Sequence, residues 1–160
     1  MGNSSQQQDA LVIGIGNAYR GDDAAGLIAA RRVREQGLKL CSVIEHTGEG
    51  TALMESWNGR DRVIVIDAMR SGSRPGTITR FDATIRSLPV SRFRNSTHAF
   101  SLAEAVEMSR ALQQLPSQLI IYGVEAENVA AGTNISQAIE AALETVVERV
   151  LRELPGKPVR

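Results

Sequence analysis

The chain has 160 residues, with 18 lysines and arginines against 18 aspartates and glutamates, two histidines and one cysteine. This length fits about one domain, and the balanced charge gives no electrostatic reason to expect nucleic acid or an acidic membrane surface as a partner. A single cysteine excludes an intrachain disulfide, and together with two histidines it excludes a four-ligand Cys/His zinc site. Any metal bound here would therefore be held mostly by carboxylates.

The sequence shows no targeting segment. Its first residues are polar and lack the apolar stretch of a signal peptide, and no apolar run approaches the length of a membrane span. We expect a disordered tail over residues 1–9, a single domain over residues 10–154 and a C-terminal tail over residues 155–160. A lone cysteine without a signal peptide or a membrane span favours the cytoplasm.

The predicted elements alternate between strand and helix along the chain. Short apolar runs predict strands, and apolar residues at helical spacing predict helices. The strands are expected at residues 10–16, 40–45, 62–67, 76–81 and 118–124, and the helices at residues 23–36, 51–57, 101–115 and 138–151. The third strand is apolar on both faces, as covered parallel strands are, whereas the more polar fourth strand is expected at an edge. This pattern predicts a three-layer α/β/α sandwich around a mostly parallel, twisted sheet of about five strands.

The loop after the first strand is the first candidate site, because function in such folds lies at the carboxyl ends of the strands. Its sequence, GIGNAYRGDD, fails two phosphate-binding patterns. Tyr19 occupies the third glycine position of the dinucleotide fingerprint, and Asp22 and Asp23 replace the lysine and hydroxyl residue of the Walker A pattern. Two carboxylates at a helix N-terminus would repel a phosphate. Either both acids serve only the helix, or one caps it and the other reaches into the cleft.

Two further polar residues are candidates for the same cleft. Asp67 ends the third strand, and the first and third strands are commonly neighbours in doubly wound sheets, so Asp23 and Asp67 are expected to share one crevice. His98 lies just ahead of a helix opened by the capping-box pattern Ser101-x-x-Glu104. Two carboxylates and one imidazole, with open positions left over, match the donor set of a divalent transition-metal site. The alternative for each residue is a purely structural role.

The loop after the second strand contains a glycine-flanked acid. Gly48 and Gly50 surround Glu49, and such a backbone can approach a ligand or a peptide closely. The alternative is a simple turn.

Taken together and in order, these segments resemble the [NiFe]-hydrogenase maturation endopeptidases. The resemblance runs from about Leu11 to Leu154 and rests on GIGNAYRGDDAAG, TGEGTALME, VIVIDAMRSGSRPGTI, STHAFSL and YGVEAENVAAGTNIS. It implies a phosphorylase/hydrolase-like fold and a peptidase. The implied reaction removes a C-terminal extension from the precursor of the hydrogenase large subunit after nickel insertion.

The resemblance also implies roles for individual residues. Asp23, Asp67 and His98 fall on the catalytic and metal-contacting positions of the family, and Asp22 becomes a neighbouring structural acid. The residues that would help to seat the substrate are Gly48, Glu49, Gly50 and Thr51. The metal is nickel carried by the substrate, and nickel, zinc or cadmium would occupy the site in vitro. The implied partner is the large-subunit precursor, with neither nucleic acid nor membrane.

Two mechanisms and two other functions stay open at this point. In the hydrolysis, a metal polarises the carbonyl or lowers the pKa of a water, or a carboxylate acts as general base. The first alternative function is a non-hydrolytic metal-sensing or scaffold protein that binds the precursor. The second is a nucleotide-binding domain, which the acidic first loop disfavours.

Overall fold

The computed structural model describes residues 9–89 and 101–155. Residues 1–8 and 156–160, which make up most of the tails predicted over residues 1–9 and 155–160, lie outside the described residues, as does the segment 90–100 with His98. In chain order the elements are β1 (Ala10–Ile15), a 3-10 turn (Gly21–Ala24), α1 (Ala25–Arg34), β2 (Cys41–His46), α2 (Gly50–Trp57), β3 (Arg62–Met69), β4 (Ile78–Asp82), α3 (Leu102–Ala111), β5 (Gln118–Glu125) and α4 (Gln137–Glu153). Every predicted strand and helix is present, with bounds shifted by a few residues. None of the described helices is long and apolar enough to cross a membrane.

The strands form one sheet in the order β2-β1-β3-β5-β4. The first four strands of this order are parallel, and β4 pairs antiparallel with β5 at the edge. The mostly parallel five-stranded sheet and the edge position of the polar strand are therefore confirmed. Because β1 and β3 are neighbours while β2 lies on the outer side of β1, the strand order reverses between β1 and β3. A crevice opens at the carboxyl ends of strands at such a point.

Two apolar layers cover the sheet. The first layer packs α1 and α4 on one face, and the second packs α2 and α3 on the other. Along β3 the side chains alternate between these layers, with Ile64 and Ile66 facing α1 and α4, and Val63 and Val65 facing α2 and α3. Asp67 continues the second series, so it belongs to the face covered by α2 and α3.

Helix α1 lies unusually close to the sheet because glycine occupies the contact positions. A Cβ atom on Gly26 would stand 2.2 Å from the carbonyl oxygen of Ile15 and 2.3 Å from that of Ile66. A Cβ atom on Gly14 would stand 2.3 Å from the carbonyl oxygen of Gly26. No side chain fits in that space, so α1 begins directly over the carboxyl ends of β1 and β3. This packing positions the 3-10 turn, with Asp23, at the crevice.

Helix α3 begins with the predicted capping box. The backbone N–H of Ser101 donates to the Glu104 carboxylate at 3.1 Å, and the Ser101 hydroxyl also bonds that carboxylate. These bonds satisfy backbone donors that the first turn of a helix leaves unpaired. The start of α3 is therefore fixed directly after the segment that contains His98.

Candidate active site

Asp67 lies inside β3, two residues before the end of the strand. The strand was predicted to stop at this residue, but β3 remains paired with β5 as far as Met69. Asp67 is densely surrounded by protein, although part of the residue stays accessible. Burial, and after it the negative charge of Asp23, raise the pKa of the Asp67 carboxyl well above its ordinary value. The crevice therefore holds two acids that interact with each other.

Asp23 supplies the second acid from the 3-10 turn between β1 and α1. Burial raises the pKa of its carboxyl, and the positive charge of Arg20 and the backbone N–H of Asn17 offset part of that effect. The residue keeps partial exposure, so its carboxylate remains accessible to a ligand. The structure thus brings Asp23 and Asp67 together at the carboxyl ends of β1 and β3.

Asp22 is fully buried and serves the structure of the site. Its carboxylate accepts hydrogen bonds from the backbone N–H groups of Glu127 (2.8 Å), Asn128 (2.9 Å) and Ser136 (2.7 Å), and from the Ser136 hydroxyl (2.8 Å). Burial acts to raise the pKa of the Asp22 carboxyl, but these bonds outweigh burial and lower the pKa below its ordinary value. Asp22 therefore does not cap its own helix. It holds the first loop against the segment that follows β5.

Backbone hydrogen bonds join the same two segments. The N–H of Gly21 donates to the carbonyl of Gly132 at 2.9 Å, and the N–H of Gly132 donates to the carbonyl of Tyr19 at 2.8 Å. We call the joined segments, residues 17–24 and 126–136, the β1–β5 rim. Hydrogen bonds between its two segments therefore fix the position of the rim, which includes Asp23.

The glycine loop lies between β2 and α2, next to the end of β1. Glu49 is the N-cap of α2, and its carboxylate oxygens accept from the backbone N–H groups of Thr51 (3.0 Å) and Ala52 (2.8 Å). Gly48 has φ +94°, and a Cβ atom there would stand 2.9 Å from the side chain of Ile15. The loop therefore needs glycine at this position and lies against the carboxyl end of β1. The four residues predicted to seat the substrate form the start of α2 and the turn before it: Gly48, Glu49, Gly50 and Thr51.

Glu125, at the end of β5, is a supporting residue that the sequence analysis did not select. It is 3% exposed, and its carboxylate accepts from the backbone N–H (2.8 Å) and hydroxyl (2.9 Å) of Ser71 and from the N–H of Gly72 (3.1 Å). These bonds fix the loop that follows Asp67 and β3. The sequence did contain a signal for Glu125: it is an acid at the end of an apolar strand, and the same feature was the reason for selecting Asp67.

The third predicted metal ligand, His98, lies outside the described residues. Ser101, which caps α3, follows that segment, and α3 covers the same face of the sheet as Asp67. The other histidine has a local contact, because the Nδ1 atom of His46 accepts from the backbone N–H of Gly48 at 2.9 Å. Among the described residues no group of three or more His, Cys, Asp or Glu side chains is arranged to hold a metal ion. The described part of the site therefore supplies two carboxylates.

A mostly parallel sheet with an acidic crevice where the strand order reverses defines an α/β protein with a candidate site at the carboxyl ends of its strands. Comparison with known proteins narrows this class. The family model of the hydrogenase maturation proteases matches residues 30–153. The chain belongs to the hydrogenase maturation protease family, and it is a peptidase. This confirms the resemblance found in the sequence and favours hydrolysis over the scaffold and nucleotide-binding alternatives.

Two relatives match most of this chain. The chain is 25% identical over 134 residues to the protein FrxA of Pyrococcus furiosus, covering 82% of this chain and 94% of that protein. It is 27% identical over 131 residues to the hydrogenase expression/formation protein HupD of Bradyrhizobium diazoefficiens, covering 78% of this chain and 66% of that protein.

Solved structures show the same fold. The hydrogenase maturating endopeptidase HybD from E. coli superimposes with a TM-score of 0.74 at 23% identity, covering 90% of both chains. The [NiFe] hydrogenase maturation protease HycI from Thermococcus kodakarensis gives a TM-score of 0.69 at 24% identity, covering 92% of this chain and 93% of that one. The predicted three-layer α/β/α architecture is therefore confirmed.

Proposed function

We propose that this peptidase removes the C-terminal extension of a [NiFe]-hydrogenase large-subunit precursor after nickel has been inserted. The observation that carries the proposal is the pairing of Asp23 with Asp67 in the crevice between β1 and β3. The family supports hydrogenase processing, and the acid pair supports recognition of a metal. We also propose that the reaction takes place in the cytoplasm, as favoured by the single, unbridged Cys41.

The acid pair explains why a metal-loaded substrate would be preferred. Burial and mutual repulsion penalise the ionised forms of Asp23 and Asp67, and a divalent cation between them relieves both penalties. A precursor that already holds nickel brings this cation with it, whereas an unloaded precursor leaves the acids uncompensated. The site thus distinguishes the two forms of one substrate by charge.

The donor set suits a metal that arrives with the substrate. Asp23 and Asp67 supply two oxygen ligands, and we propose His98 as the third ligand. Imidazole and carboxylate together suit first-row metals such as nickel and zinc. The remaining coordination positions are then available to the precursor's own ligands. Free nickel, zinc or cadmium is expected to occupy the same position in vitro.

The acids also provide the means of hydrolysis. A nickel-bound carbonyl would be polarised towards attack by water. Burial raises the pKa of Asp67 in the metal-free site, and with nickel bound the Asp67 carboxylate oxygen that does not contact the metal would accept a proton from that water. The water oxygen bonds to the carbonyl carbon, the C–N bond breaks, and the proton passes to the leaving amine. Both routes considered from the sequence therefore use the same pair of residues.

The glycine loop is proposed to seat the substrate next to this pair. Because the carboxylate of Glu49 caps α2, its contribution is to fix the loop. Gly48 and Gly50 are themselves buried, so direct contact with a peptide would come from the exposed side chain of Thr51. An extended peptide there would run past the end of β1 towards Asp23.

The test is incubation of the purified protein with a large-subunit precursor, with and without nickel, followed by mass measurement of the product. We expect loss of a C-terminal peptide only when nickel is present. Asp67→Asn should lower the cleavage rate by about a hundredfold or more, because it removes the proton acceptor and a ligand. Asp61→Asn is the matched control, since Asp61 precedes the other end of the same strand. Cleavage of nickel-free precursor, or wild-type rates with Asp67→Asn, would contradict the proposal.

A further inference from the structure

Tyr19 is an aromatic residue that the fold leaves in solvent beside the site. Among the described residues, Tyr19 and Ile85 are the most exposed large hydrophobic side chains, at 74% each. Tyr19 belongs to the loop that carries Asp23, four positions away, whereas Ile85 follows the edge strand β4, which lies three positions from β1 in the sheet. Packing among residues 9–89 and 101–155 therefore does not account for the aromatic ring at position 19.

The backbone that carries this ring is held firmly. The N–H of Tyr19 donates to the Oδ1 atom of Asn17 at 2.9 Å, and its carbonyl accepts from the N–H of Gly132 at 2.8 Å. The next residue, Arg20, donates its N–H to the carbonyl of Asn17 at 3.3 Å and forms an isolated β-bridge with Gly132. The buried carboxylate of Asp22 also fixes this loop, because it accepts a hydrogen bond from the backbone N–H of Ser136. The ring is thus exposed on a loop whose shape is already determined.

We propose that Tyr19 is a specificity-determining residue that anchors the protein substrate on the β1–β5 rim, with its ring inserted into an apolar recess on the surface of that substrate. Rigid tyrosines bury a large area at low entropic cost and are enriched among the residues that dominate interface energy. The partner is the precursor protein, because the rim is continuous with the acid pair on which cleavage depends. This inference rests on the proposed function for the identity of its partner.

The experiment measures kcat and KM for cleavage of nickel-loaded precursor, together with the Kd of the precursor, for the wild type and three variants. Tyr19→Ala should raise KM and Kd by about tenfold or more with kcat unchanged, as truncation of a central aromatic anchor does. Tyr19→Phe keeps the ring and should stay within about threefold of the wild type. Ile85→Ala removes an equally exposed side chain far from the site and should change neither constant. Thermal unfolding of each variant checks that the fold is retained.

The outcomes separate this inference from the proposed function. If the wild type cleaves the precursor and Tyr19→Ala keeps the wild-type KM and Kd, the anchor is refuted and the proposed function stands. If the wild type binds without cleaving, and binding weakens with Tyr19→Ala but not with Ile85→Ala, the anchor stands and the proposed function fails. If the wild type neither binds nor cleaves the precursor, both are overturned.

Discussion

Asp22 and Asp23 are adjacent in the chain, but their carboxylates have opposite surroundings. The 3-10 turn directs Asp22 into the protein, where four hydrogen-bond donors meet its two oxygens. Asp23 faces the crevice, where burial raises the pKa of its carboxyl and its charge raises the pKa of Asp67. Sequence reasoning selected this pair and proposed that one acid is structural. It could not identify the partners of Asp22, because they lie more than a hundred residues away in the chain.

Replacement of Asp22 by asparagine should destabilise the fold. An amide cannot accept all four hydrogen bonds, and its NH₂ group would face backbone donors. We expect the free energy of unfolding at pH 7 to fall by about 2–4 kcal/mol, measured by urea titration. Asp61→Asn, at a partly exposed aspartate with one serine contact, should cost about 1 kcal/mol or less.

The same variant carries a prediction about pH. The pKa of Asp22 is lowered in the folded state, so its charge stabilises the protein above the ordinary value of 3.8 and ceases to do so as the pH falls through the lowered value. The stability gap between wild type and Asp22→Asn should therefore narrow as the pH is lowered below about 4. A gap that stayed constant over this range would show that the charge of Asp22 is not what stabilises the rim.

At the scale of elements, the contact between α1 and the sheet determines where the site is built. Hydrophobic spacing predicted the helix, and the apolar runs predicted the strands beneath it. The distance between them depends on the carbonyl oxygens of Ile15 and Ile66 meeting the helix backbone at Gly26. That distance depends on the contact between three segments of the chain: β1, β3 and α1. A pattern within any one of them could not predict it.

Gly26→Ala should reverse the usual effect of this substitution. In an exposed helix interior, alanine is more stable than glycine by about 1 kcal/mol. At Gly26 the new Cβ atom would overlap two carbonyl oxygens, so we expect a loss of about 2 kcal/mol or more in unfolding free energy. Cleavage should also slow, because α1 carries the turn with Asp23. For comparison, Gly37→Ala meets no atom within 4 Å and should cost only about 1 kcal/mol, from its φ of +64°. Equal stabilities of the two variants would rule out the close contact as the cause.

At the scale of the whole molecule, the strand order assembles the site from distant segments. Alternating strands and helices predicted the three layers and the mostly parallel sheet, and strand ends predicted the crevice. The support given by Glu125 to the loop after β3, and by residues 127–136 to the first loop, was not predictable. Those contacts depend on β5 lying beside β3, which is a consequence of the complete sheet.

Metal binding should stabilise the entire fold, because a ligand that binds only the folded state raises its stability by mass action. Nickel, zinc or cadmium added to the isolated protein should raise the melting temperature, and a chelator should restore the original value. Asp67→Asn should abolish the shift, while Asp61→Asn should keep it. An equal shift in all three proteins would indicate that the metal binds elsewhere.

The hydrogen bonds between Asp22 and Ser136 also have a consequence for folding during synthesis, because the two residues leave the ribosome at different times. Asp23 and Asp67 are synthesised early, but the groups that bury Asp22 belong to the segment between β5 and α4. A nascent chain on the ribosome therefore has its acids long before it has the rim that holds them. The active site is completed only when the last part of the domain emerges, so a partly made protease has no assembled site with which to cleave a substrate.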